Sequence, residues 1–492
     1  MTLKKLLSAS ALVALGMLSG RALGFVREML LAAQFGAGNS DANIAIAMLL
    51  IPDFITALLI GSSISAVLVP AFAARDRERA LVLLWQCLAI MVPAFAAIGA
   101  ATGMLSGSVF ISVALCSLPI SAATGVFTAY LQHEGKFLAP AFSTVIFNIV
   151  ILGALWFLPT GLLMLSCAVV FASLMRFGAN YAAFLRNNQQ RKLRSKKQWE
   201  LDKELVVAYA QNMLSNVLGI FILYTPFAMI AFLNPSEFAL FNYAFKLISF
   251  PAALIQTVIQ MSVLPWFVNI RAMSSASGNS AAPREYGHSL QAGWVISLAV
   301  SLCVWLVASD IARVCFGHGK MTVRDTAQIG ELLAIGIWSL PCMVMLSLWQ
   351  QIFFAYHKQK AALFSNVALA LFIMPLCWVG YILGDSRGLL YGFVAAQVIP
   401  FFILAIAGKF FLLRSGASLL KVGSMYLKMS LAIVFAFIPF AIICNTLFLD
   451  EYENITLAMA VGGVCIFAGL YCDSTIRRKI HKVIADKYIA GL

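Results

Sequence analysis

Charge is scarce in this chain: Asp, Glu, Lys and Arg together make up 11% of its residues, under half the roughly 25% usual in soluble domains. That scarcity excludes an ordinary water-soluble enzyme or adaptor, which needs polar surface to stay in solution. Polar stretches are rare too, the one long example being Asn187 to Lys203. None of the Gly-Lys pairs (Gly135-Lys136, Gly319-Lys320, Gly408-Lys409) is followed by Ser or Thr, so there is no Walker A cradle and no sign of ATP hydrolysis. The five histidines lack H-E-x-x-H or any other metal spacing, and the ten cysteines include no C-x-x-C pair. They read as small core residues, and no metal or cofactor is expected.

What the chain has instead is hydrocarbon. It is 62% hydrophobic, with mean hydropathy +0.92, and apolar runs of the roughly 20 residues that cross a bilayer recur along its length. The windows give an all-α polytopic membrane protein of fourteen spans: 6–35, 42–70, 81–101, 108–131, 138–157, 161–185, 205–232, 238–268, 289–309, 328–356, 361–383, 387–408, 422–447 and 454–473. Lys4 and Lys5 before the first run imitate a signal peptide, but the run continues past any cleavage site and reads as a retained span.

Basic residues gather in alternate loops: Arg75, Arg77 and Arg79; Lys136; Arg186 through Lys203; Arg271 and Arg284; Lys358 and Lys360; Arg414 and Lys421; and the tail from Arg477. Loops 36–41, 101–108, 157–162 and 233–237 carry no Lys or Arg. The positive-inside rule then puts both termini in the cytoplasm. The net charge of +14 reports this topology and contact with anionic lipid, and no nucleic-acid partner is expected.

The polar segment divides six spans from the rest. Span 2 ends in Pro70-Ala71-Phe72 before Arg75, and span 8 in Pro265-Trp266-Phe267 before Arg271. Span 4 ends in Ala129-Tyr130 before His133, and span 10 in Ala355-Tyr356 before His357. Such echoes imply two six-helix lobes in the same orientation with two helices appended: 1–186, a basic linker 187–204, 205–410, and 411–492 with helices 13 and 14 and a basic tail. A cavity between the lobes follows from that plan.

Charges inside spans point to a wet pathway, because centring one in hydrocarbon costs about 2.5–3.5 kcal/mol on insertion scales. Arg21, Arg27 and Glu28 share the first span; Asp53 follows Pro52 in span 2, and Lys246 precedes Ser249 and Pro251 in span 8. Seven residues apart, Arg21 and Glu28 fall on one helix face, so Glu28 is expected to neutralise Arg21 and leave Arg27 for an anionic ligand. Arg21, Arg27 and Lys246 then form one cationic site. The competing readings are a helix-stapling ion pair, a snorkelling Lys246, and a pairing of Lys246 with Asp53. Gly16, Gly20 and Gly24 form a G-x-x-x-G-x-x-x-G series that suits close packing or a hinge, and kinks at Pro52 and Pro251 free carbonyls to line a cavity.

At Ser19-Gly-Arg-Ala-Leu-Gly-Phe-Val-Arg-Glu28, then Phe35-Gly-Ala-Gly38 and Asp41-Ala42, the chain resembles the MurJ/MviN family of bacterial lipid II flippases, within the wider group of multidrug and oligosaccharidyl-lipid exporters. Ser65-Ala-Val-Leu-Val-Pro70, Tyr243-Ala-Phe-Lys-Leu-Ile-Ser-Phe-Pro251 and Phe316-Gly-His-Gly-Lys-Met-Thr322 extend the likeness over the whole chain. The resemblance implies that Arg21 and Arg27 match two essential arginines, Asp41 an acidic residue beyond that helix, and Lys246 the basic residue of span 8. Three positions depart from the family pattern: Thr56 stands where it has a basic residue, Gly61 where it has an acid, and Ser249 where it often has an acid.

The resemblance implies a non-enzymatic flippase of the inner membrane, moving polyprenyl-diphosphate-linked lipid II by alternating access. It would be driven by the membrane potential or by a coupling ion, Na+ or H+, whose site the sequence does not place. Such a protein would work as a monomer among membrane lipids, beside the cell-wall synthesis machinery. Rival readings are a flippase for another lipid-linked exopolysaccharide or oligosaccharide unit, and a cation-coupled multidrug antiporter, which would favour acidic cavity residues. A membrane glycosyltransferase would need paired acids in a sizeable loop, and the largest outward loop, Ser309 to Ala327, is too short.

Overall fold

A computed structural model describes residues 3–157, 161–188, 200–259, 263, 266–268, 270–271, 281–356, 359–412, 419–446 and 450–471. Among these the chain is helical with no strand, and eleven helical stretches are long and apolar enough to cross a membrane. The described residues of all fourteen predicted spans fall on helices; residues 260–262 and 264–265 of span 8, 447 of span 13 and 472–473 of span 14 lie outside the described residues, as do 189–199 of the linker and the rest of the tail from Cys472.

Local chemistry sets where the helices begin and break. The first ten are α1 (Leu3–Phe35), α2 (Ser40–Leu59), α3 (Gly61–Ala73), α4 (Arg77–Ser106), α5 (Val109–Leu115), α6 (Ser117–His133), α7 (Leu138–Phe157), α8 (Leu162–Asn188), α9 (Lys203–Leu233) and α10 (Phe238–Val258). Side chains of Asn39, Asp76, Ser108 and Asp202 accept from the backbone N–H three residues on and so cap α2, α4, α5 and α9, satisfying donors that a helix start leaves free. Predicted span 2 is two helices, α2 and α3, meeting at Ile60 just before Gly61, a residue with low helix propensity.

Seven more helices follow: α11 (Ala281–Leu306), α12 (Ala308–Phe316), α13 (Val323–Gly336), α14 (Leu340–Ala355), α15 (Gln359–Leu412), α16 (Leu419–Thr446) and α17 (Glu451–Tyr471). α15 covers two predicted spans as a tight hairpin. Its backbone leaves helical geometry at Gly384 and Asp385, and a Cβ on Gly388 would lie 1.9 Å from the Gly380 carbonyl oxygen. Only glycine lets the two arms approach so closely.

One expectation needs correction. The outward stretch from Ser309 to Ala327 is not a plain loop, because α12 and the start of α13 lie within it, with Asp310 and Asp325 in their first turns. Acids there favour the positive end of the helix dipole.

The chain divides into two compact units, Met1–Tyr243 with His318–Thr322, and Ala244–Gly317 with Val323–Leu492. In the first, α9 packs along α2 and α3; Tyr209 donates to the Leu59 carbonyl, and Asn216 to Ser63 Oγ at 2.8 Å. Segment 318–322 caps the end of α1, where Lys320 N–H donates to the Ala33 carbonyl at 2.8 Å and Gly36 and Gly319 adopt positive φ. In the second, α11, α16 and α17 enclose a core of Val295, Ala299, Met429, Ile433 and Cys465.

The echoed strings form aromatic contacts in each unit. Phe72 meets Tyr130 edge-on at 5.5 Å, and Phe267 meets Tyr286, which in turn meets Tyr356. Arg75 donates to the Ala71 carbonyl, and Arg271 to the Ala355 carbonyl.

Candidate functional site

The glycine series of α1 is a packing seam. A Cβ on Gly16 would lie 2.4 Å from the Ala141 carbonyl oxygen, one on Gly20 would lie 3.1 Å from Thr144 Cβ, and one on Gly24 would lie 3.4 Å from Asn148 Nδ2. Each step of four residues on α1 thus meets a step on α7. α1 runs unbroken through all three glycines.

Asn148 locks that seam. Its Nδ2 donates to the Gly20 carbonyl at 2.9 Å, and its Oδ1 accepts from Arg27 Nη1 at 3.1 Å. Arg27 Nη2 also pairs with Glu28 Oε1 at 2.9 Å, and the two residues are 6% and 3% exposed. This overturns the expectation that Glu28 would neutralise Arg21. Successive helical residues diverge by about 100°, but a long guanidinium drawn across the seam by Asn148 can turn back to its neighbour. Arg21 is half-buried and has no ion pair or hydrogen bond among the described residues.

Asp53 and Pro52 lie on α2 beside a small polar pocket. Its volume is about 20 Å³, and its lining includes Asp53, Thr56, Ser117, Ser121, Ser173 and Arg176, which makes it the size of one water molecule. Pro52 is buried, whereas Asp53 is exposed, and a carboxylate on the surface of a bilayer-spanning bundle calls for a wet face. Asp53 lies near enough for its charge to act on Arg27, Arg176 and Tyr224.

Arg176 was absent from the residues singled out in the sequence. The rule applied to Arg21 finds it, since it stands between Met175 and Phe177 within the apolar run of α8. Its Nη2 donates to Ser121 Oγ at 2.7 Å, and its guanidinium sits 5.3 Å over the Phe147 ring, a cation–π arrangement. Asn180, one turn on, donates to Ser143 Oγ at 2.8 Å and to the Arg176 carbonyl at 2.9 Å. Asn148 and Asn180 were likewise missed, because an amide in an apolar run carries no charge to mark it.

The remaining candidates are dispersed. Asp41 is exposed in the first turn of α2, two residues after its Asn39 cap. Lys246 is half-buried on α10 in the second unit; Ser249 Oγ donates to its carbonyl at 3.3 Å, and Pro251 follows within the same helix. Gly61 opens α3.

Comparison with known proteins gives these positions a context. The family model "Lipid II flippase MurJ" matches residues 31–463. The chain belongs to the MurJ family of lipid II flippases. A relative from Rhizobium tropici, described as a probable lipid II flippase MurJ, is 22% identical over 412 residues, covering 73% of this chain and 74% of that protein. A solved lipid II flippase MurJ in an inward closed conformation superposes with a TM-score of 0.75 at 15% identity, over 94% of this chain and 98% of that one. A multidrug resistance MATE family transporter in an inward-facing conformation gives a TM-score of 0.60 at 14% identity, over 82% of this chain and all of that one. The MurJ family match begins at Leu31, so the arginine motif of α1 stands just ahead of it, while Asp53, Thr56 and Arg176 stand within it.

Proposed function

We propose that this chain is a flippase that moves lipid II, a peptidoglycan precursor on a polyprenyl diphosphate, from the inner to the outer leaflet of the bacterial plasma membrane. The observation that carries this reading is the MurJ family match over residues 31–463. The physical task fits the buried charges. A polyprenyl tail can stay in hydrocarbon throughout, whereas a diphosphate and its sugars need a hydrated, cationic path. In this reading Arg21 and Lys246 neutralise phosphate oxygens. Arginine offers a planar fork for two oxygens, lysine a mobile point charge.

The basic loops support cytoplasmic termini, and in this reading the protein works as a monomer by alternating access. The membrane potential supplies about 2.3 kcal/mol per charge per 100 mV, with Na+ or H+ as the alternative source. A second reading, another polyprenyl-linked glycan as cargo, is favoured by Thr56, Gly61 and Ser249, where charges expected from the family are missing. Likeness to MATE transporters concerns the fold alone.

The test is complementation of a strain depleted of its own lipid II flippase, with radiolabelled lipid II followed in each leaflet. Rescue of growth with lipid II reaching the outer leaflet is expected. Accumulation of inner-leaflet lipid II in cells holding normal amounts of the protein overturns the cargo assignment.

A further inference from the structure

We infer that Arg176 is a ligand-binding cation of the first unit, presented from α8 to the diphosphate of the cargo at the mouth of the pocket it shares with Asp53 and Thr56. The inference rests on the flippase reading above and adds a residue to its site.

Three observations carry it. First, the guanidinium is under-used. It has five N–H donors, one of which reaches Ser121 Oγ, while its Nε, like that of Arg27, is buried without a partner. No ion pair to Arg176 occurs among the described residues. A charge held in hydrocarbon with spare donors is a group awaiting an acceptor.

Second, the pocket opens toward Arg176. Leu49, Pro52, Ser117, Ser121, Phe147, Val169 and Ser173 are buried, whereas Asp53, Thr56 and Arg176 keep accessible surface. Those three residues therefore form its mouth. α2 and α8 are both even-numbered spans and run the same way. Asp53 and Arg176 lie 13 and 14 residues from their helix starts, about 20 Å along each axis, so the mouth lies deep in the hydrocarbon layer.

Third, the mouth pairs this cation with Thr56, the position at which the resemblance calls for a basic residue. A guanidinium from α8 beside Thr56 supplies the positive charge that α2 lacks. Asp53 competes with an incoming anion for it, and Arg27 cannot substitute because Asn148 and Glu28 already hold it.

The full-length protein in detergent is tested by native mass spectrometry with a polyprenyl diphosphate and the corresponding polyprenol. Arg176→Gln should weaken retention of the diphosphate about tenfold, the value of one charge-assisted contact, and leave the polyprenol unchanged. Adding Thr56→Arg to Arg176→Gln should restore most of the lost retention, because the charge returns to the same mouth from the neighbouring helix. A merely structural Arg176 would not be rescued in that way. Asp53→Asn leaves α8 untouched and should strengthen diphosphate retention several-fold by removing the competing carboxylate.

Wild-type retention of the diphosphate by Arg176→Gln overturns the inference while leaving the flippase reading intact, as does a folded double variant without rescue. So does unchanged or weaker retention by Asp53→Asn. Equal retention of both lipids by the wild-type protein overturns the flippase reading and this inference with it.

Discussion

Arg27 and Arg176 are two arginines inside one helical unit, and they are solved differently. Arg27 sits in the α1–α7 seam with an amide and a carboxylate on its guanidinium. Arg176 sits at the mouth of a hydroxyl-lined pocket with one hydroxyl, one aromatic ring and a spare Nε. The charge of Arg27 is met by a buried carboxylate, whereas Arg176 has no ion pair among the described residues, and the Nε of both is buried without a partner. Burial of an arginine in a span therefore does not by itself mark a ligand site, whereas burial without a carboxylate partner points to one.

The largest effect that would sharpen this contrast is on stability. Arg27→Ala removes one side of a buried ion pair, and breaking such a pair costs about 3–5 kcal/mol. It should sharply lower the thermal midpoint in detergent, and Arg27→Met with Glu28→Leu should recover most of the loss. Truncating Arg176 should cost about 1–2 kcal/mol, the scale of one charged hydrogen bond less its desolvation. Equal losses at the two arginines would erase the distinction.

A smaller, graded effect is expected along the seam itself. Gly16→Ala drives a methyl group to 2.4 Å from a backbone oxygen of α7, and such overpacking costs about 1–3 kcal/mol. Gly24→Ala places its methyl at 3.4 Å from the Asn148 amide, an ordinary van der Waals contact, while alanine gains about 1 kcal/mol of helix propensity over glycine. Thermal denaturation should rank Gly16→Ala well below wild type and Gly24→Ala level with it or above. A uniform loss at both positions would point to a hinge.

The smallest effect lies outside the membrane-spanning segments, at Asp310 of α12. Burial pushes its carboxyl above the usual carboxylate range and Glu451 adds to the rise, against the opposing pull of Arg313 and a hydrogen bond with Asn454. A raised folded-state value means that its contribution to stability is full below the ordinary carboxylate pKa and is lost as pH rises through the raised one. Asp310→Asn should thus raise the thermal midpoint slightly at pH 7 and leave it unchanged near pH 3. The reverse order would show that the Arg313 pull dominates.

Much of the fold was legible in the sequence, because hydropathy and breakers act locally. The hairpin of α15 was foreseen as two spans from its central Gly384-Asp385-Ser386, and the break of span 2 coincides with Gly61. α12 was missed, because nine residues with an apolar stripe and charges at Asp310 and Arg313 resemble a polar loop in any window sized for a membrane span. The candidate site was only partly legible. Arg21, Arg27, Glu28 and Asp53 stood out as charges in apolar runs, and Arg176 met the same criterion unnoticed. Asn148 and Asn180 gave no signal of that kind.

By itself the sequence determined that this is an all-α membrane protein of fourteen spans, and which charges hydrocarbon must accommodate. These follow from transfer free energy and backbone geometry, which each segment expresses regardless of its neighbours. Only the tertiary structure decided which charge is spent and which is spare. A helical wheel gives the direction of a Cβ, but the end of an arginine lies several bonds beyond it. Asn148, 121 positions along the chain from Arg27, draws that guanidinium across the seam to where Glu28 also reaches it, while Arg176 has no ion pair among the described residues.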